Sequence, residues 1–250
     1  LVDEPVSEWE DLNLNPTRNE RVIKYLKSRK YESDNDYVKD PQFEIKNSLI
    51  AKGVDFSKPI VVLAPNIIWD ANLIYKDNIF TNLMNWLYET IDYFKSRDDL
   101  QIIIRAHPGE VNIDRVSNQK VKDELIKKYK ILPKNVFIID SKENLSTYSL
   151  SDLSNTVIIY ASKIGMEFSP FGINVIVAGE SYVKNKGITI DPKNRREYFE
   201  ILKKIPLKIV RNKEKIERSK KYAYHFFFRK TIVPNSLKES KKNWPQFMIK

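Results

Sequence analysis

Five short apolar runs, alternating with stretches of helical periodicity, constrain the fold of this 250-residue chain more than any other feature. The runs are IVVLAP (60–65), LQIIIRAHP (100–108), NVFIID (135–140), TVIIYAS (156–162) and NVIVAG (174–179). Each is apolar through most of its length, which is typical of a strand buried on both faces. Strands that alternate with helices favour a parallel sheet. The sequence therefore predicts an α/β fold with a parallel Rossmann-like sheet and helices on both faces.

Residues before and after this alternating region differ from it in composition and divide the chain into three parts. Helical periodicity predicts helices at 17–31, 79–97, 119–130, 163–172, 192–205 and 213–230, and a short helix or loop at 144–153. A turn is predicted at 33–41 and a loop at 66–78. We predict an N-terminal helical arm or linker (1–57), a central Rossmann-like domain (58–202) and a basic amphipathic C-terminal tail (203–250).

The positive charge of the chain is concentrated in the tail. The chain has 43 Lys and Arg against 33 Asp and Glu, and residues 203–250 carry fifteen of the former and three of the latter. Residues 1–202 are therefore nearly neutral. One interpretation is a terminal helix that docks its aromatic residues on the core and keeps its lysines in water. A second is attraction to an anionic membrane surface. Nucleic-acid binding is disfavoured, because the body of the protein is not basic.

The amino-acid composition and the absent motifs exclude several classes of site. With no Cys and two His, the chain has neither a thiolate zinc site nor a His-rich metal site. No G-x-G-x-x-G, Walker A, G-x-S-x-G or H-E-x-x-H motif occurs, and no D-x-D motif stands at the end of a predicted strand. No apolar run has the length of a membrane helix, and no signal peptide opens the sequence. We therefore predict a cytoplasmic protein with a metal-independent site and no resident cofactor.

Polar side chains and glycines follow the predicted strands where each one ends. Ligands bind at the carboxyl ends of the strands in sheets of this kind, so these residues form the predicted site. They are Asn66, Trp69 and Asp70 after the first strand, Arg105, His107, Pro108 and Glu110 after the second, Tyr160, Ser162, Lys163, Gly165 and Glu167 after the fourth, and Gly179, Tyr182, Gly187 and Thr189 after the fifth.

Several of these residues have a chemical interpretation beside a structural one. His107 can donate to a phosphate oxygen or stabilise a leaving phosphate, whereas a lone His is more often structural. Arg105 can hold a phosphate through two hydrogen bonds or pair with a carboxylate. Ser162 lies at a helix start, where it caps the helix and where free N–H groups, helped by Lys163, can bind a phosphate. Asp70 and Glu110 are candidate general bases or ligands of sugar hydroxyls, although loop carboxylates are usually solvated.

The segments RAHPGE (105–110) and IIYASKIGMEFSPFGINVIVAGESYVKNKGITIDP (158–192) resemble the bacterial capsule polysaccharide biosynthesis proteins, a group similar to Kdo transferases. More distantly, they resemble teichoic-acid glycerophosphotransferases and sialyltransferases with a His-Pro motif. The segment LAPNIIWDAN (63–72) also looks like the opening of their C-terminal domain. The resemblance covers about residues 58–200.

This resemblance implies a GT-B glycosyltransferase of which the chain is mainly the C-terminal, donor-binding half. His107 and Pro108 would match the His-Pro motif that contacts the nucleotide, Ser162 the second phosphate-binding motif, and Glu167 the carboxylate that holds nucleotide hydroxyls. Lys163 departs from the small hydroxyl residue expected after Ser162. The first 57 residues are too few for an N-terminal GT-B half, so we expect the catalytic base to lie in a partner half outside this sequence.

We therefore predict inverting, metal-independent transfer of a sugar from a nucleotide-activated donor in capsule or surface polysaccharide biosynthesis. The resemblance favours a CMP-sugar, with CDP, UDP and GDP donors also open, and a saccharide or glycolipid acceptor. The basic charge of residues 203–250 adds the expectation of a peripheral contact with the inner face of the membrane. The alternatives are a GT-B-like sugar-nucleotide epimerase or hydrolase, a non-catalytic partner or regulatory module of the same fold, and a nucleic-acid-binding protein.

Overall fold

A computed structural model describes residues 4–31, 42–70, 78–111, 116–208, 212–230, 237–239 and 247–249 of the chain. At its centre lies a five-stranded parallel sheet in the order β3-β2-β1-β4-β5. The strands are β1 (Ile60–Ala64), β2 (Gln101–Arg105), β3 (Val136–Ile139), β4 (Thr156–Ile159) and β5 (Val175–Val177). All five lie within the predicted apolar runs. The predicted parallel Rossmann-like sheet is thus confirmed.

The strand order creates a switch point beside β1. The chain moves from β1 to β2 and β3 on one side, then returns to place β4 and β5 on the other side. In the register of the sheet, Val62 of β1 lies between Ile103 of β2 and Val157 of β4. Where strand order reverses in this way, the loops at the carboxyl ends diverge and leave a crevice. The fold therefore places a crevice between the loops that follow β1 and β4.

Eight α-helices lie within the described residues. They are α1 (Pro16–Tyr31), α2 (Gln42–Ala51), α3 (Leu83–Phe94), α4 (Val121–Tyr129), α5 (Thr147–Asp152), α6 (Ile164–Phe168), α7 (Arg195–Leu202) and α8 (Lys213–Tyr224). Four of them begin after an Asn whose side chain accepts from a backbone N–H three residues later, which satisfies one of the free donors of the first turn. These caps are Asn15 for α1, Asn82 for α3, Asn194 for α7 and Asn212 for α8.

Alternate residues of each strand pack into two separate cores. Val61 and Leu63 of β1 point to one face of the sheet, where α3 and α7 cover them. Val62 and Ala64 point to the other face and pack with residues of α2, α5, α6 and α8. Both faces are therefore covered, as the uniformly apolar strands predict.

Segments outside 58–202 contribute to the second core. Trp9, Ile45 of α2 and Tyr222 of α8 are buried in it. Helix α1 packs on α8 through Val22 and Leu26. Helix α8 continues as a π-helical segment, His225–Lys230. Domain boundaries at 57 and 202 stay a prediction, but the arm and the tail share a core with the sheet.

Some sequence predictions differ from the structure or lie outside the described residues. No helix was predicted for α2, whose residues follow the predicted turn at 33–41. That turn lies outside the described part of the chain. Of the loop predicted at 66–78, only residues 66–70 and 78 are described. The segments Leu237–Glu239 and Phe247–Ile249 form a small antiparallel pair. Among the described residues, no helix has both the length and the apolar character needed to cross a bilayer.

Candidate functional site

A cavity of about 230 Å³ opens at the carboxyl ends of the central strands. Six of the predicted site residues line it: Arg105, His107, Pro108, Ser162, Lys163 and Glu167. Six residues that were not predicted as site residues complete the lining: Arg29, Ala64, Pro65, Thr147, Tyr148 and Ile164. Ala64 and Pro65 end β1, and Ser162 and Lys163 follow β4. The cavity therefore occupies the crevice that the strand order creates.

His107 is oriented by the loop that it opens. The N–H of Gly109 donates to His107 Nδ1 at 3.0 Å, so in the neutral imidazole the proton is on Nε2. A Cβ atom on Gly109 would lie 2.9 Å from both His107 Nδ1 and Ile67 Cδ1, so a larger residue would displace the ring. Glycine at this position thus allows the loop to hold the imidazole as an Nε2–H donor.

The surroundings of His107 favour its neutral form. The His107 side chain is exposed, but partial desolvation by neighbouring groups lowers its pKa below the ordinary value of 6.5, and the nearby charge of Arg105 lowers it further. The charge of Asp70 acts in the opposite direction. At neutral pH His107 is therefore an uncharged hydrogen-bond donor.

Arg105 forms a buried cationic wall of the cavity. Its side chain is 1% exposed, and its Nη1 and Nη2 donate to the carbonyl oxygens of Asp140 and Glu143 at 2.6 and 3.1 Å. Its Nε has no hydrogen-bond partner among the described residues. Burial lowers the pKa of Arg105 to about 10, so it remains charged at neutral pH. The two bonds to carbonyl oxygens use one N–H of each terminal nitrogen and leave the Nε–H free within the described part of the chain, so the two-bond contact to phosphate stays a prediction.

Glu167 is held at the cavity wall by two donors. Tyr148 Oη donates to Glu167 Oε2 at 2.6 Å, and Arg29 Nε donates to Oε1 at 3.0 Å. Ser162 lies just before α6, the helix that carries Glu167, and its Oγ accepts from the N–H of Ile164 at 3.2 Å. Helix α6 is only five residues long. The N-cap of α6 is Lys163, which makes no side-chain cap bond, so Ser162 lies one residue before the cap position and accepts from the first helical N–H instead.

The cavity has an excess of positive charge. Arg29, Arg105 and Lys163 line it, and Glu167 is the one carboxylate among the lining residues that the structure describes. Glu167 is paired with Arg29. Arg105 and Lys163 make no ion pair within the described part of the chain. Two cations that form no described ion pair, beside an Nε2–H donor, give the cavity a net positive lining that suits an anion, although the charges of Asp140, Glu143 and Glu110 also act on Arg105.

The structure does not bring the remaining predicted residues of the β1, β2 and β4 loops into this lining. Glu110 is fully buried, and its Oε1 accepts from the N–H of Val121 at the start of α4, while burial raises its pKa. Asn66 ties the β1 loop to the β4 loop by bonding both the C=O and the N–H of Ala161. Trp69 donates to Ser117 Oγ at 2.8 Å beside the crevice.

Tyr160 and Gly165 belong to the cores on either side of the sheet. Tyr160 stacks on Trp86 with a ring-centre distance of 5.5 Å, and burial raises its pKa to about 12. Gly165 faces Val183, which would lie 3.0 Å from an added Cβ atom. Neither residue lines the cavity.

The loop after β5 packs toward α8 instead of the cavity. Tyr182 accepts from Tyr222 Oη at 2.6 Å through its carbonyl oxygen, and Arg218 Nε would lie 2.9 Å from a Cβ atom on Gly187. Thr189 donates to Asp191 Oδ1 at 2.6 Å. Gly179 approaches the carbonyl of Tyr160, where a Cβ atom would lie at 2.9 Å. These four residues, predicted to bind substrate, have structural contacts and do not line the described cavity.

Comparison with known proteins gives similarity to solved structures alone. No family model matches the chain, and no curated protein matches it. The beta Kdo 2,4 transferase KpsC of Thermosulfurimonas dismutans is 15% identical with a TM-score of 0.46, covering 82% of this chain and 55% of that protein. The beta Kdo 2,7 transferase KpsC of the same organism is 16% identical with a TM-score of 0.48, covering 87% and 56%.

A third similar structure is the UDP-GlcNAc 2-epimerase of Neisseria meningitidis bound to UDP-GlcNAc. It is 11% identical with a TM-score of 0.46, covering 85% of this chain and 52% of that one. The chain thus spans about half the length of these proteins. At these identities the likeness concerns the fold alone.

Proposed function

We propose that this chain is the donor-binding part of a glycosyltransferase and binds a nucleotide-activated sugar in the cavity between the β1 and β4 loops. The observation that carries the proposal is the cationic lining: Arg105 and Lys163 without ion pairs among the described residues, beside the Nε2–H of His107. An anion in this cavity gains charge complementarity and a neutral donor. The sugar phosphate of an activated donor supplies such an anion. The resemblance of 105–110 and 158–192 to capsule polysaccharide biosynthesis proteins points to the same class.

The proposed chemistry is stabilisation of a leaving phosphate. As an acceptor hydroxyl attacks the anomeric carbon, negative charge grows on the phosphate oxygen that departs. His107 Nε2–H donates to that phosphate, and the charges of Arg105 and Lys163 stabilise it in a site partly withdrawn from water. The charge of Asp70 acts on His107, and Asp70 is the remaining candidate for a base, since Glu110 is buried as the cap of α4.

Finer features of the reaction are also part of the proposal. The sequence resemblance supports three of them. It favours transfer with inversion and without a metal, a CMP-sugar as the donor, and a saccharide or glycolipid acceptor in capsule or surface polysaccharide assembly. An N-terminal GT-B half would supply the remaining catalytic groups. Residues 203–250 would attach the enzyme to the cytoplasmic membrane face, which co-sedimentation with phosphatidylglycerol vesicles against phosphatidylcholine vesicles tests. Equal binding to both would exclude an electrostatic attachment.

The direct test is thermal stabilisation of the chain by CMP, CDP, UDP, GDP and ADP without metal. A nucleotide at a hundred times its Kd should add roughly 2.7 kcal/mol of stability. We expect one of the five to stabilise the protein selectively, and His107→Ala and Lys163→Gln to abolish most of that effect. Lys134→Gln is the matched control, because this exposed lysine precedes β3 at the opposite end of the sheet.

Each alternative gives a different result in these assays. No stabilisation by any nucleotide would contradict the proposal and favour a non-catalytic module. Stabilisation that persists in His107→Ala and Lys163→Gln would place the ligand elsewhere. Release of nucleotide from a bound sugar nucleotide without any acceptor would indicate a hydrolase or an epimerase instead.

A further inference from the structure

We propose that Arg29 is a positioning residue of the anion site: it balances the buried charge of Glu167 and thereby lets a phosphate occupy the cavity. Arg29 lies on α1, outside the sheet, and 138 positions before Glu167 in the chain. This inference deepens the proposed function and rests on it only for the identity of the ligand. The anion site itself is argued from the geometry of the cavity.

Glu167 is a buried carboxylate whose two oxygens are both fixed. Its side chain is 3% exposed, and that of Arg29 is 20% exposed. Arg29 Nε donates to Oε1 at 3.0 Å and Tyr148 Oη donates to Oε2 at 2.6 Å. Of these two donors only Arg29 carries a charge. The negative charge of Glu167 is therefore compensated by one residue from a distant helix.

The position of Glu167 makes this compensation matter for a ligand. Glu167 lines the same cavity as Arg105 and Lys163, so an unpaired carboxylate there would repel a phosphate and compete with it for the two cations. Charges interact more strongly in an enclosed site than in water. Arg29 removes this repulsion without itself having to contact the anion.

The packing of α1 on α8 positions Arg29 beside Glu167 in the cavity. Val22 and Leu26 of α1 are buried against Ala223 of α8, on the side of the helix that also carries Arg29. Lys27 lies on the opposite, exposed side of the same helix. The N-terminal helix is thus a wall of the site, although no sequence motif connects it with the strand ends.

The test measures binding of inorganic pyrophosphate to the 250-residue chain by isothermal titration at low ionic strength. Pyrophosphate isolates the phosphate site, because it has no sugar hydroxyl for Glu167 to hold. We expect Arg29→Gln to weaken its affinity about 30-fold, as for removal of one partner of a buried charge pair. Adding Glu167→Gln to Arg29→Gln should restore the affinity to within about threefold of wild type, because the charge to be balanced is gone. Lys27→Gln makes the same charge change on the exposed face of α1 and should leave binding unchanged.

Each outcome decides the role of Arg29. Wild-type affinity in Arg29→Gln would overturn the inference. A double variant as weak as Arg29→Gln would overturn it too, because Arg29 would then act on the anion directly. Circular dichroism and the thermal midpoint of each variant separate a binding effect from unfolding, and the rescue by Glu167→Gln is not expected of a merely structural contact.

Parallel titrations with CMP and UDP separate this inference from the proposed function. If pyrophosphate binds with the expected dependence on Arg29 and no nucleotide binds, Arg29 keeps its role and the nucleotide-sugar proposal fails. If nucleotides bind and the Arg29 variants bind them and pyrophosphate as wild type does, the proposed function stands and this inference fails. If neither pyrophosphate nor any nucleotide binds, both are overturned.

Discussion

His107 owes its donor geometry to two neighbours in its own loop. Pro108 fixes the backbone after it, and Gly109 brings an N–H within 3.0 Å of Nδ1. The ring is thereby held in one tautomer with Nε2–H available, and desolvation keeps it neutral. A neutral donor suits a site that must hold a phosphate and release it, because it adds a directional bond without adding a full charge.

The protonation state of His107 leads to a prediction at the scale of single atoms. The pKa of His107 in the folded protein lies below the value of 6.5 that we take for the unfolded chain. At a pH between the folded and the unfolded pKa, the unfolded chain therefore binds more protons than the folded one. The contribution of His107 to stability is therefore complete above about pH 6.5 and declines as the pH falls toward the folded pKa. We expect long-range ¹H–¹⁵N spectra to show an Nε2–H tautomer for His107, with a pKa that rises when a phosphate ligand binds.

Assignment of these signals is simple, because His107 and His225 are the two histidines of the chain. The signals that disappear in His107→Gln belong to His107. An Nδ1–H tautomer, or a midpoint above 6.5 without ligand, would show that the Gly109 contact and the desolvation of the ring do not operate in solution.

Among the secondary structure elements, α3 and α7 are joined by one buried hydrogen-bond network. Tyr198 of α7 is fully buried, and its hydroxyl lies 2.9 Å from Trp86 Nε1 and 2.8 Å from Thr90 Oγ1, both on α3. The Trp86 indole donates to the Tyr198 oxygen. Removing that hydroxyl would leave the indole N–H buried without a partner.

We expect Tyr198→Phe to lower the free energy of unfolding by about 1–3 kcal/mol, the cost of an unsatisfied buried donor. Urea unfolding measures this directly. Tyr224→Phe is the control, since the hydroxyl of Tyr224 has no hydrogen-bond partner among the described residues, and it should change stability by less than about 0.5 kcal/mol. Equal stability of both variants would mean that the Tyr198 network contributes no net energy.

The strands could be predicted from the sequence, whereas part of the site could not. Runs such as IVVLA can be recognised in the sequence, because every residue of the strand is buried and therefore apolar. The parallel strand order then places Arg105, His107 and Ser162 at one edge of the sheet. Tyr148 carries a weak local signal, a hydroxyl group in a polar segment that follows β3. Arg29 carries none, because it occupies a charged helix whose partner α8 lies far along the chain. Its place in the cavity follows from tertiary packing alone.

The loop after β5 contrasts with this. Its glycines and hydroxyls at 179–189 were predicted to bind substrate, but Ile190 pairs beside Ile176, and the segment runs along the sheet away from the described cavity. Gly187 adopts a positive φ of 69°, where Arg218 of α8 approaches it closely. The positive φ and this approach account for the glycine, whereas its role toward a substrate stays a prediction. Composition alone does not separate these two uses of a glycine.

At the scale of the whole molecule, the N-terminal segment is joined to the π-helical segment His225–Lys230 that follows α8. Glu4 Oε1 accepts from both His225 Nε2 and Lys230 Nζ at 2.9 Å. Arg229 Nη1 donates to His225 Nδ1 at 3.1 Å, which leaves Nε2 as the donor to Glu4. Lys186 Nζ donates to the carbonyl oxygen of Glu4 at 2.6 Å. The N-terminal segment thereby holds α8, and α8 supports the helix that carries Arg29.

This contact predicts an acid-sensitive contribution to global stability. Burial acts to raise the pKa of Glu4, but hydrogen bonds from His225 and Lys230 outweigh it and leave the pKa below the ordinary value of 4.5. The stabilisation is therefore present above about pH 4.5 and is lost as the pH falls through the folded pKa. We expect Glu4→Gln to lower the free energy of unfolding by about 2 kcal/mol at pH 7, and the difference from wild type to shrink below pH 4.5. Urea unfolding across pH 3–7 measures it, with Glu8→Gln as an exposed neighbour of the same charge. If the difference in unfolding free energy between Glu4→Gln and wild type does not change with pH, the Glu4 carboxylate is not what joins the N-terminal segment to the π-helical segment.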